Sequence, residues 1–227
     1  MLASVADLSV FQEERLVLMR EKSSSAYSGF AWFIAKVCVE LPLLRMLPLV
    51  MVTFVLSALV GLNQHPHTVF FMFLLLFLIS MTATLQFICI GMIFTQNGVA
   101  HFGAILVTMF SLLMSGFLLQ FDGTGGDRTD NQPRSSGFEF LEGFSLLHYG
   151  FEALMVNEMH GLHFVVIVKG PDGSEMAKVA ATGDLILAQL GFAYENFSGD
   201  VGMVLAFFAI FSGLCVLLLH LVVVERR

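Results

Sequence analysis

The 227-residue chain is 57% hydrophobic and 13% charged, with a mean hydropathy of +0.83. Soluble globular domains run about 45–50% apolar and about 25% charged, so a water-soluble single domain is excluded. Eleven Lys and Arg against eighteen Asp and Glu leave a net charge of −7, which offers no basic field to nucleic acid, whose phosphates dominate affinity.

Residues 1–27 form a charged flank in which Phe11-Gln12-Glu13-Glu14-Arg15-Leu16-Val17-Leu18-Met19-Arg20-Glu21 alternates charged pairs with aliphatics. Leu8, Phe11 and Leu18 fall near one face at helical spacing. That pattern suits a short amphipathic helix under a membrane, either a juxtamembrane anchor or a docking helix that passes motion from a cytosolic partner. Met1 to Arg15 lacks a positive stretch followed by an apolar one, so no cleavable signal is expected and the first span serves as its own insertion signal.

Residues 46–121, 76 in all, contain no Asp, Glu, Lys or Arg. Such a run persists only where water is absent, because a charge at a bilayer centre costs about 2.5–3.5 kcal/mol on insertion scales. Turn-like breaks at Gly61 to His67 and Thr95 to Gly98 divide it. Spans are expected at 28–62, 68–94, 99–121 and 201–224, each reaching the ~20 residues that cross the hydrocarbon. The first would measure ~50 Å as one helix. It carries Lys36, Glu40, Arg45, Pro42 and Pro48, so an interfacial helical part is expected to lead into the lipid-buried half.

Residues 122–200 net −8, four basic groups against twelve acidic, whereas Arg15, Arg20, Lys22, Arg226 and Arg227 flank the other ends. The positive-inside rule puts both termini, including the tail 225–227, in the cytosol and 122–200 outside. The outer region opens with a Gly-, Asp- and Ser-rich stretch, Asp122 to Gly137. Helical pattern over Phe138 to Met159 follows, then a strand His163–Lys169, a Gly170-Pro171-Asp172-Gly173 turn and a return strand over Glu175 to Ala180. Asp184 is expected to cap a further helix. Asn196-Phe197-Ser198 matches a glycosylation acceptor, making Asn196 the candidate site. Cys38, Cys89 and Cys215 all fall in apolar segments and read as small buried hydrophobes. The fold expected is an all-α polytopic membrane protein with four transmembrane helices, an amphipathic N-terminal helix and a small extracellular α/β cap before the last helix.

Several motifs resemble one family. Phe11-x-x-Glu14-Arg15-x-x-x-x-Arg20-Glu21, Tyr27 and Glu40-Leu41-Pro42 resemble the cytosolic coupling helix and following span of White-type (ABCG-like) ATP-binding-cassette transporters. Tyr149-Gly150-Phe151-Glu152-Ala153-Leu154 with Asn157-Glu158, and Thr182-Gly183-Asp184-x-x-Leu187-x-x-x-Gly191, resemble the family's outer loop. His148 stands where the family often has Arg, and the loop cysteines of some animal members are missing. The resemblance implies the third to sixth of six spans, the C-terminal part of a type-2 membrane domain. Neither Gly-x-x-x-x-Gly-Lys-Ser/Thr nor Leu-Ser-Gly-Gly-Gln occurs, so no phosphate-cradling loop is present for ATP hydrolysis. ATP and Mg are then expected on a nucleotide-binding domain outside these residues. Further expected partners are a second transporter half, membrane lipids and a lipophilic small-molecule substrate.

The resemblance makes Glu13, Glu14, Arg15, Arg20 and Glu21 the coupling-helix charges. Lys36 and Glu40, four apart, can pair on a helix; with Arg45 they either snorkel at the interface or form a polar relay from coupling helix to spans. By position in the third span, Thr108, Met109 and Leu112 would line a substrate cavity and Phe117 and Leu118 would form a plug above it; the plain alternative is lipid-facing packing. His65 and His67, and His160 and His163, lack the three or four convergent ligands of a zinc site, so no metal is expected. These readings lead to the membrane part of an ATP-driven exporter of lipids, sterols or amphipathic small molecules in the plasma membrane or an internal membrane. The rival is a polytopic scaffold or assembly protein that does not transport.

Overall fold

The computed structural model describes residues 2–24, 27–59, 65–115, 143–169, 175–190, 192 and 194–222. It is almost entirely helical: α1 (Leu2–Ser23), α2 (Gly29–Ala35), a π-helical turn (Lys36–Glu40), α3 (Leu41–Leu59), α4 (Pro66–Ile93) and α5 (Asn97–Leu113) come first. Then follow α6 (Leu146–Met159), a two-stranded hairpin of β1 (His163–Lys169) and β2 (Glu175–Thr182), α7 (Gly183–Leu190), a 3-10 turn (Tyr194–Asn196) and α8 (Phe197–Val222).

Among the described residues, three helical runs are long and apolar enough to cross a membrane: Gly29–Leu59, Pro66–Ile93 and Tyr194–Leu221. The fourth expected span is represented by α5, apolar but 17 residues long. The helix is described as far as Leu113, and residues 116–121 of the expected span lie outside the described residues. The Ser115 hydroxyl and N–H both turn back to the Leu112 carbonyl, tightening the last turn into an i to i+3 pattern that ends helices. The expected plug, Phe117 and Leu118, lies outside the described residues, as does the stretch 122–137.

The first span is a continuous helical run from Gly29 to Leu59. Ser28 starts it, its side chain accepting the Ala31 N–H at 3.2 Å, an N-cap that satisfies an orphan donor. Pro42 has no N–H to close a normal turn, and the turn before it is π-helical, with the Leu41 N–H reaching the Lys36 carbonyl. That wider turn changes which way Lys36 and Glu40 face relative to the helix that follows.

The molecule is organised around α4. Thirteen of its residues are buried, whereas α3 buries only Leu41, Arg45 and Thr53. Pro66 begins α4, where its missing donor costs nothing. Inside the helix the Thr82 and Thr84 hydroxyls donate to the Leu78 and Ser80 carbonyls at 2.8 and 3.0 Å, so neither is left unsatisfied in an apolar setting. Midway along α4, Gly150 of α6 lies so close to Ile79 that a Cβ there would sit 2.7 Å from Ile79 Cδ1. The Asn157 amide also donates to the Thr68 carbonyl at 3.1 Å. Ser145 caps α6 by accepting the His148 N–H and donates in turn to the Ser111 carbonyl at 3.1 Å, fastening α6 to α5.

The hairpin is antiparallel, His163 opposite Thr182, with an irregularity at Val168/Lys169; the strands expected from the sequence are those observed, β2 running two residues further. Asp184 does not occupy the capping position. The helix already begins at Gly183, so Asp184 lies within its first turn, where a carboxylate meets the positive end of the helix dipole, and it pairs with His160 Nδ1 at 3.1 Å.

Candidate functional site

The chemistry-bearing residues gather where α1 lies against the C-terminal half of α4. One face of α1 carries Ser4, Leu8, Phe11, Gln12, Arg15 and Leu18, all buried, while Val10, Glu13, Leu16, Val17 and Arg20 on other faces are exposed. Phe11 and Leu18 enter the main apolar cluster with Leu85, Ile88 and Met92 of α4. Gly91 makes the approach possible: a Cβ there would meet Leu8 Cδ1 at 2.7 Å and Phe11 Cδ1 at 2.9 Å.

Three polar nodes fix α1 to the spans. In the first, Gln12 Nε2 and Arg15 Nη1 both donate to the Gly91 and Phe94 carbonyls at 3.1 to 3.2 Å. The last carbonyls of a helix lack intrahelical partners and carry its negative dipole end, so a guanidinium is a fitting cap. Burial pulls the Arg15 pKa below its ordinary value; a guanidinium nonetheless keeps its charge.

In the second node, buried Lys36 of the π turn pairs with Glu14 of α1 and with Glu40 of its own turn. Its ammonium also stands 5.9 Å from the Trp32 ring centroid, within cation–π range. The third node is centred on Arg45, buried on α3, which pairs with Asp7, and donates to Ser4 Oγ at 3.0 Å and Thr84 Oγ1 at 2.9 Å. A charge this deep in an apolar helix needs partners on every side, and α1 and α4 supply them. Beyond the nodes, the Tyr27 hydroxyl donates to Glu21 at 2.5 Å. Burial first, and then the Glu21 carboxylate, push the Tyr27 pKa up to about 12.

Beside this interface, α1 and α5 border a half-open groove of about 320 Å³ lined by Val5, Ala6, His101, Ile105, Thr108 and Met109. The Thr108 hydroxyl is spent on its own helix, donating to the Ala104 carbonyl at 2.8 Å, so the wall there is effectively apolar. Thr108 and Met109 reach this space; Leu112 is 36% exposed and does not line it.

A family model described as ABC-2 type transporter matches residues 1–159, a stretch that takes in α1, all three polar nodes and α6. The chain belongs to the ABC-2 type transporter family. It is 28% identical over 220 residues to a probable ATP-dependent permease of Saccharomyces cerevisiae, covering 97% of this chain and 20% of that protein. Over 165 residues it is 29% identical to the mouse (Mus musculus) broad substrate specificity ATP-binding cassette transporter ABCG2, covering 71% of this chain and 23% of that one. An Arabidopsis thaliana ABC transporter G family member 4 is 26% identical over 213 residues, 93% of this chain and 35% of its own length. The chain thus spans about a fifth to a third of the length of these three relatives. This ABC-2 domain is an integral membrane protein of the ABCG type.

Within the ABC-2 domain the five charges read as one group on α1 divide. Glu13 and Arg20 face outward, Glu14 and Glu21 are half-buried against Lys36 and Tyr27, and Arg15 is buried on α4. Lys36 and Glu40 do pair, but Arg45 belongs to a separate node. Sequence reasoning missed Ser4, Asp7, Gln12 and Thr84. The available signal was that each falls at helical spacing from a residue of the same buried face, obscured because polarity reads as exposure. Asn196 is exposed and immediately precedes α8.

Proposed function

We propose that this chain is the substrate-translocating part of an ATP-driven exporter of lipids, sterols or amphipathic small molecules. It would work with a second transporter half about a two-fold axis and with nucleotide-binding domains that hold ATP and Mg. Both termini would lie in the cytosol, in the plasma membrane or an internal membrane. The observation that carries the reading is the attachment of α1: three charge-bearing nodes join one surface helix to α3, α4 and the π turn. Charge-assisted bonds are directional and roughly twice as strong as neutral ones, so displacement of α1 by a nucleotide-driven partner would tilt the helices it grips. The exposed side of α1, with Glu13, Leu16 and Val17, would face that partner. The apolar groove beside Thr108 and Met109 suits a lipophilic substrate.

The names of the relatives agree with this reading, including an ATP-dependent permease and a broad substrate specificity transporter. The test is ATP-dependent uptake of candidate lipids and sterols into inside-out vesicles containing the full-length protein. Uptake that needs hydrolysable ATP supports the exporter. Absence of transport for every candidate, with no ATPase activity in the purified assembly, would favour the scaffold.

A further inference from the structure

Cys89 of α4 and Cys215 of α8 are both buried, at 3% and 0% exposure, and their sulfurs stand 2.9 Å apart. The contact is reciprocal. Cys89 Sγ reaches the Phe211 carbonyl and Cys215 Sγ the Leu85 carbonyl, each at 3.5 Å, so each thiol points to the carbonyl four residues before the other. Two helices more than a hundred residues apart in sequence thereby meet with their thiols paired. The pair sits in the apolar cluster that receives Phe11 and Leu18 of α1, directly under the grip described above.

We propose that Cys89 and Cys215 are a redox modification site, converted by an uncharged hydroperoxide into a disulfide that staples α4 to α8. Reaching the bonded separation of about 2.05 Å requires the sulfurs to close by under ~1 Å, a side-chain adjustment rather than a rearrangement of helices. The hydrophobic surroundings exclude charged oxidants and admit neutral, lipid-soluble ones. Cys89, the less enclosed thiol, attacks the terminal peroxide oxygen. The O–O bond breaks, Cys89 becomes a sulfenic acid, and the peroxide leaves as an alcohol carrying the thiol proton. Cys215 sulfur then displaces the sulfenic hydroxyl, the S–S bond forms, and that hydroxyl departs as water with the Cys215 proton. Two electrons pass from the two thiols to one hydroperoxide. With the bond in place α4 and α8 move as one body, whatever cargo the chain handles, so the site stands or falls independently of the export reading.

Cys38 supplies an internal gauge, since it is exposed on the π turn. Membranes containing the full-length protein are treated with cumene hydroperoxide until Cys38 is oxidised, then denatured, alkylated, digested and analysed by mass spectrometry. The expected product joins the Cys89 and Cys215 peptides with loss of two hydrogens, separates on treatment with dithiothreitol, and is absent from Cys215→Ser, in which Cys89 is instead trapped by dimedone as the sulfenic acid. Recovery of both thiols free at a dose that consumes Cys38, or oxidation of either alone to sulfinic acid without the link, would overturn the proposal.

Discussion

The two halves of α4 are gripped by different chemistry. Along its N-terminal half α6 is held by a glycine contact against Ile79 and by a neutral hydrogen bond from Asn157 to the Thr68 carbonyl. Along its C-terminal half α1 is held by Arg15 on the Gly91 and Phe94 carbonyls and by Arg45, which joins Asp7 to Thr84, while Lys36 ties α1 to the π turn. Close apolar packing fixes position without much directional preference, whereas ion pairs and carbonyl caps fix orientation and register. The α6 contact is thus one that packs, and the α1 contact one that fixes orientation.

Substitutions can break that contrast. Arg45→Ala should have the largest effect, leaving the Asp7 carboxylate without its cation. Losing one partner of a fully buried pair costs about 3–5 kcal/mol; the Asp7 side chain is 31% exposed, so about 2–3 kcal/mol is expected here, read as a lowered thermal midpoint of the purified protein. At the α6 contact, Gly150→Val should cost about 1–3 kcal/mol by overpacking against Ile79. Adding Ile79→Ala should recover part of that loss, which no ion pair could do. A recovery indistinguishable from zero would mean that the α6 contact is not a packing joint.

Smaller effects sharpen the picture. Gln12→Ala should cost only about 0.5–1.5 kcal/mol, the net worth of an ordinary hydrogen bond, because Arg15 still caps the same two carbonyls. Removing Gln12 and Arg15 together should cost more than the two single losses combined, a coupling readable in a double-mutant cycle. Tyr27→Phe should be the mildest at neutral pH. The raised Tyr27 pKa favours the protonated phenol in the folded state, so its contribution is complete below pH ~10 and is lost as pH climbs towards about 12. Wild type should therefore lose more stability than Tyr27→Phe across that alkaline window.

The spans were legible because lipid enforces a crude rule: a long uncharged run must be helical and hidden from water. Leu8, Phe11 and Leu18 were legible for the same reason, as apolar residues at helical spacing. The α5 boundary was not, because its sequence stays apolar beyond Leu113 while the helix ends in a backbone turn at Ser115. Ser4, Asp7 and Gln12 were hidden by their polarity: they face inward because α3 and α4 present Arg45 and unsatisfied carbonyls to them, a demand created only by tertiary structure. The thiol pair was equally invisible, since nothing local to Cys89 or Cys215 specifies the other.

The central claim is that α1 drives the spans through its charged nodes, and the coupling ratio tests it most directly. In the complete transporter reconstituted in vesicles, substrate moved per ATP hydrolysed should fall severalfold in Lys36→Ala and in Glu40→Ala while ATP hydrolysis persists. Exchanging the charges in the double variant Glu14→Lys, Lys36→Glu should restore part of the ratio by re-forming the bridge between α1 and the π turn. A ratio equal to wild type in all three variants would contradict the account.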